Sequence, residues 1–145
     1  MRHRKAGRQL GRNSSHRRAL YRSLVTSLMQ HERIETTEAK AKEIRVFADQ
    51  MISLGKEKTL AARRRALAFL QSALTVKKLF DEVAPRFESR NGGYTRLIKT
   101  RSRVGDGAPM VLVELVEMKK EEKKQEQKAK VKEEEKTAKT AKAAS

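Results

Sequence analysis

Nearly all the large apolar side chains of this 145-residue chain lie between residues 14 and 118, and that confinement decides which part can fold. Residues 1 to 13, MRHRKAGRQLGRN, hold five basic side chains, two glycines and almost nothing apolar. Burial cannot offset the entropy of ordering such a stretch, so it reads as an arm. Residues 119 to 145 carry ten lysines and six glutamates, with Val131 the only larger aliphatic side chain. That composition has helix propensity and no hydrophobic face, which predicts a tail of fluctuating helix or disorder. The middle segment, 14 to 118, has the size of one domain with one core.

Within it the apolar spacing changes twice. Ser14 or Ser15 caps a helix with Leu20, Leu24 and Leu28, then Val25 and Met29, at helical intervals, ending near His31. Glu32 to Thr36 is short and carries Ile34 and a threonine, which predicts a strand. Thr37 caps a second helix striped by Ile44, Phe47 and Met51, and Gly55 is the expected stop. A third helix follows Thr59 with Leu60, Leu67 and Leu70 inward. Thr75 opens a fourth with Val76, Leu79, Phe80 and Val83, which Pro85 ends. Beyond Pro85 the pattern becomes extended. Tyr94 to Arg101 alternates bulky and basic residues, and Met110 to Glu117 is almost wholly apolar; the Gly/Asp/Pro-rich segment 102 to 109 turns between them. A near-continuous apolar strand is paired on both sides, which brings 32 to 36 into the sheet. The expected fold is α+β: a two-layer domain in the order helix, strand, three helices, two strands.

Charge then narrows the class. Lys and Arg total 35 against 18 Asp and Glu, a net charge of +17, far beyond what solubility requires, so a polyanion is the expected partner. No apolar run is long enough to span a bilayer, so no membrane role is expected. Cysteine is absent, which removes disulfides, thiolate metal sites and cysteine nucleophiles. The histidines stand at 3, 16 and 31, the first thirty-one residues hold no carboxylate to orient them, and there is no phosphate-cradling Gly-Lys-Ser/Thr. The reading is a protein with no catalytic residue, metal, cofactor or small-molecule substrate.

Residues 1 to 31 contain Arg2, Arg4, Lys5, Arg8, Arg12, Arg17, Arg18 and Arg22, unopposed until Glu32. Seven of these eight are arginine, whose planar fork binds phosphate bidentately and stacks on bases. His3 and His16 add donors, and Gly7 and Gly11 let the backbone follow a contoured surface. Such a start also fits a mitochondrial presequence, but residues 1 to 13 lack an amphipathic stripe and the stripe from Leu20 is needed for the core. Arg63, Arg64 and Arg65 form a secondary patch, either a solvated helix face or a further contact. Arg86, Arg90, Arg96, Lys99, Arg101 and Arg103 oppose Glu88 alone, with Tyr94 among them after Asn91-Gly92-Gly93. This suits phosphate contact with stacking, although core packing explains Tyr94 equally well. The same charge permits an architectural DNA-binding protein.

Four stretches, MRHRKAGRQLGRNSSHRRALYRSL, ERIETTEAKAKE, PRFESRNGGYTRLIK and GDGAPMVLVELVE, in this order over residues 1 to about 117, closely resemble the bacterial large-subunit ribosomal protein seventeen family. The resemblance implies a helical layer on a small sheet and no enzymatic activity. It further implies binding of large-subunit ribosomal RNA near the exit of the nascent-peptide tunnel, and a cytoplasmic, ribosomal location with neighbouring large-subunit proteins as partners. By position it implies RNA contacts at Arg2, His3, Arg4, Lys5, Arg8 and Arg12, at His16, Arg17 and Arg18, and at Arg90, Tyr94 and Arg96. The tail beyond 118 departs from the pattern.

Replacing Arg2, Arg4, Arg8 and Arg12 together is expected to weaken RNA association and flatten its salt dependence, with the melting temperature of the 14 to 118 domain nearly unchanged. Filter binding across a salt series, beside a thermal melt, checks both; a large fall in melting temperature contradicts the arm.

Overall fold

The computed structural model describes residues 7–118. Helix α1, Ser14–His31, buries Tyr21, Val25, Leu28 and Met29, while Leu24 is partly buried against them. Its cap is Asn13 and not a serine: the Asn13 Oδ1 accepts from the His16 N–H at 2.9 Å, which starts the helix earlier than either serine would. Strand β1, Arg33–Thr37, leads into helix α2, Glu38–Glu57; Thr37 holds the cap position, but its side chain makes no cap hydrogen bond.

Gly55 does not end α2. The helix passes through it, and Lys58 takes the left-handed conformation at φ 54°. The glycine serves close approach instead, since a Cβ at 55 would stand 2.8 Å from the Ala84 Cβ.

Helix α3, Leu60–Leu70, faces inward through Ala62, Ala66 and Leu70, with Leu60 and Leu67 64% and 43% exposed. The expectation that Leu60 and Leu67 point inward is therefore corrected. Small residues form the inner face because α3 lies close on its neighbours, and its aromatic anchor is Phe69, stacked on Phe47, which in turn stacks on Tyr21 of α1. Helix α4, Ala73–Lys78, is capped by Ser72; Thr75 is buried one turn further in, where its hydroxyl accepts from Gln30.

Pro85 does not stop the chain at once either. A π-helical stretch, Leu79–Val83, lets the Ala84 N–H reach back five residues to Leu79, and this wider turn carries the proline into a last turn, α5, Ala84–Arg86.

Strands β2, Thr95–Ser102, and β3, Pro109–Leu115, complete an antiparallel sheet in the order β1-β3-β2, with Val113 opposite both Ile34 and Leu97. The apolar strand is the central one, as its composition requires. Val111, Val113 and Leu115 face the helices; the other face is open, with Ile98 40% exposed. The order and the α+β class agree with the sequence reading. Residues 7 to 13 differ from it, since Leu10 packs on the core and the Tyr21 hydroxyl donates to the Arg8 carbonyl at 3.4 Å. The expectation of a free arm no longer extends over 7 to 13. Residues 1 to 6 and the tail from 119 lie outside the described residues.

One ion pair joins the ends of several elements. The Glu32 carboxylate is 1% exposed and accepts both forks of Arg86, at 2.7 and 2.8 Å, with Lys78 Nζ 3.6 Å away. The Glu32 N–H donates to Leu28 and ends α1, its carbonyl accepts from the Leu115 N–H, and Arg86 also donates to the Glu117 carbonyl. Arg86→Met is expected to cost roughly 3 kcal/mol, because it takes the two-pronged partner from a buried carboxylate and leaves Lys78 at 3.6 Å. Glu32→Gln should cost less, since the one-fifth-exposed Arg86 can hydrate. Urea denaturation of both variants measures the order; equal costs would show that burial of the carboxylate does not set the penalty.

Candidate nucleic-acid interface

The cations of the described residues divide by what holds them. At the chain's beginning the holders are neutral carbonyls: Arg12 Nη1 donates to Leu10 O at 2.7 Å and Arg17 Nη1 to Arg12 O at 3.3 Å. A carbonyl orients a guanidinium without cancelling its charge. Arg8, His16 and Arg18 are exposed beside them, at the start of an 18-residue helix whose first turn carries no acid. The positive end of the helix dipole is therefore left uncompensated, and the arginines add to it. Gly7 and Gly11 adopt φ 85° and 64° here, shaping the approach to α1.

Elsewhere carboxylates hold many of the cations, although Lys56 and Lys78 also donate to the carbonyls of Arg90 and Gln30, each at 2.6 Å. Arg96 pairs with Glu114 at 2.8 Å, Arg101 with Glu35 at 3.3 Å, Arg103 with Asp106, and Arg65 with Glu57 at 2.7 Å. Arg63 lies over the Phe80 ring, 4.9 Å from its centroid, and 3.6 Å from Asp81. Of the arginine triplet only Arg64 has no ion pair among the described residues; Arg90 and Lys99 likewise have none. The pairs of Arg63, Arg65 and Arg101 are exposed and worth about 0–1 kcal/mol, so a phosphate can compete for them, whereas the buried Glu114 keeps Arg96.

Three candidates are placed differently from the sequence reading. Tyr94 is 3% exposed, edge-on to Phe87 at 5.3 Å and covered by Lys56, so it has no face for a base. Arg86 is taken by Glu32, as described. Arg22 is turned onto α3, donating to Ala68 O at 3.3 Å beside the Phe69 ring, with its Nε buried and unpartnered. Arg2, His3, Arg4 and Lys5 lie outside the described residues. Sequence reasoning overlooked Val104, 96% exposed in the β2–β3 loop; its only signal was a valine between Arg103 and Gly105 in a turn.

A hollow of about 600 Å³ beside α2, lined by Val46, Asp49, Met51, Leu54, Glu57 and Tyr94, has the wrong sign for a polyanion. Burial pushes the Asp49 carboxyl up, partly offset by Arg45. Among the described residues no group of three His, Asp or Glu is placed to hold a metal, and no helix is long and apolar enough to cross a membrane.

Fold and surface together define a small helix-on-sheet domain whose first arginines make no ion pair among the described residues. The chain matches the family model described as Ribosomal protein L17 over residues 20–116. It is 57% identical over 117 residues to the large ribosomal subunit protein bL17 of Syntrophotalea carbinolica, covering 81% of this chain and 76% of that one. The same figures for the bL17 of Pelobacter propionicus are 57%, 81% and 92%, and for that of Geobacter metallireducens 55%, 81% and 66%. The chain belongs to the ribosomal protein L17 family, a structural and non-enzymatic one.

The Asp106 carboxyl sits at about 2, lowered from 3.8 by the Arg103 guanidinium first and the Ala108 N–H second. A depressed carboxyl supports the loop above its ordinary range and loses that support as pH falls through its folded value. An NMR titration of the Asp106 carboxyl should show it still ionised at about pH 3; a midpoint at the ordinary value would mean that the Arg103 clamp is not formed in solution.

Proposed function

We propose that this protein is a structural constituent of the large ribosomal subunit that binds ribosomal RNA near the nascent-peptide exit, in the cytoplasmic ribosome, beside other large-subunit proteins. The observation that carries the RNA reading is the set of arginines at the start of α1, of which Arg12 and Arg17 are oriented by carbonyls and none is in an ion pair among the described residues. Arg8, Arg12, Arg17, Arg18 and His16 hold phosphates where RNA segments converge. Residues 1 to 13 remain the proposed RNA-binding segment, now with 7 to 13 seated on the 14 to 118 domain, and 119 to 145 the charged tail. Arg64, Arg90, Lys99 and, through displacement of weak pairs, Arg63 and Arg101 supply further cations, while Arg96 and Arg103 offer a phosphate only the exposed side of guanidiniums that stay on Glu114 and Asp106. Arg22 and Arg86 act within the domain. The particle and the exit region rest on family membership and on the names of the relatives.

In competition at matched salt, large-subunit ribosomal RNA is expected to displace the protein from duplex DNA, a preference that charge alone would not give. Replacing Arg17 and Arg18 by Gln should lower the salt slope of RNA binding by roughly one for each phosphate no longer held. Equal affinity for the two nucleic acids would favour an architectural DNA-binding protein, and a protein that stays in the top fractions of a sucrose gradient would not be ribosomal.

A further inference from the structure

The loop joining β2 to β3 is built to stand still. Arg103 Nε and Nη2 clamp the Asp106 carboxylate, the Arg103 N–H donates to Ala108 O at 2.9 Å, and the Gly107 N–H donates to Arg103 O at 3.0 Å. The Ala108 N–H adds a bond to Asp106 Oδ1 at 3.3 Å. Gly105 and Gly107 supply the left-handed turns, at φ 108° and 63°. The first residue inside this closed loop is Val104, 96% exposed. A lone exposed valine needs no explanation. A valine held out in water by a loop locked on both sides is different, because the ordering that a partner would otherwise have to impose is already done.

The strand beneath it says what that partner is. Residues 96 to 108 carry Arg96, Lys99, Arg101 and Arg103 against Asp106 alone. The register breaks between Lys99 and Ser102, an irregularity that re-aims the strand as it leaves the sheet. Arg101 and Lys99 lie three and five residues before Val104 on the strand that leads into the loop. Lys99 has no ion pair among the described residues, and the Arg101 pair with Glu35 is exposed and weak. An apolar tip with a cationic stem suits a nucleic acid, whose ribose and base faces are apolar and whose phosphates flank them.

We propose that the β2–β3 hairpin is a second, preformed RNA contact, in which Val104 packs on a ribose or base face of large-subunit RNA while Lys99 and Arg101 hold the neighbouring phosphates. This rests on the RNA-binding reading above, and adds to the cations already named there an apolar contact, Val104, on a loop that is ordered before RNA arrives.

The chain has no cysteine, so a single one can be addressed. In full-length protein assembled into large subunits, Val104→Cys and, separately, Ser15→Cys would carry a benzophenone and be irradiated. RNA adducts from both positions are expected. Adducts to RNA from 15, with only protein adducts or none from 104, overturn the hairpin contact and leave the RNA reading standing. No RNA adduct from either position overturns that reading itself. Val104→Asp should weaken binding to large-subunit RNA roughly fivefold or more, by placing a carboxylate among phosphates. Its melting temperature should stay within about 3 °C, because the side chain touches nothing in the domain. Unchanged affinity would overturn the proposal.

Discussion

The buried carboxylate of Glu32 is the point on which the domain is assembled. Its main chain ends α1 through the bond to Leu28 and meets the central strand through Leu115, while its side chain draws in Arg86 from the far end of the last helix. A carboxylate with 1% exposure is tolerated only where cations satisfy it, so three elements distant in sequence must arrive together. Glu32 also adopts φ 61°, an uncommon conformation for a residue with a Cβ. The ion pair and the strand hydrogen bond hold it there.

The surface follows from a division of labour among arginines. Where a carboxylate meets a guanidinium, as at Glu32 or Glu114, the charge serves the fold or is muted. Where a carbonyl meets it, as at Leu10 and Arg12, geometry is gained and charge kept. The first kind dominates the sheet and the last helical turns, and the second dominates the entry to α1. A polyanion therefore meets a directional surface and not a uniform cloud of charge.

Much of this was legible in residues alone. The near-continuous apolar run from Met110 demanded a strand covered on both sides, and β1 and β2 do flank it. What escaped reading shares one cause: contacts between segments far apart in sequence. Nothing near Gly55 announces that Ala84 will press on it. Ala62 and Ala66 form the inner face of α3 because neighbouring helices come close, so size pointed to the wrong side. Pro85 is passed because the turn before it widens. Arg86 and Tyr94 look like surface residues of a basic stretch until Glu32 and Phe87 are brought beside them. Among the candidate cations, the unopposed run before Glu32 was visible as a count; which guanidiniums keep their charge depended on acids supplied by other strands and helices.

The bond from Arg86 to the Glu117 carbonyl, with Met118 buried just beyond it, has a bearing on where the domain ends. The last strand stops at Leu115, yet the packed unit runs three residues further and closes against the same ion pair that gathers the helices. Whatever continues from residue 119 departs from one fixed address at the end of the middle strand. A cut meant to keep the described domain whole therefore belongs after Met118 and not at the end of the strand.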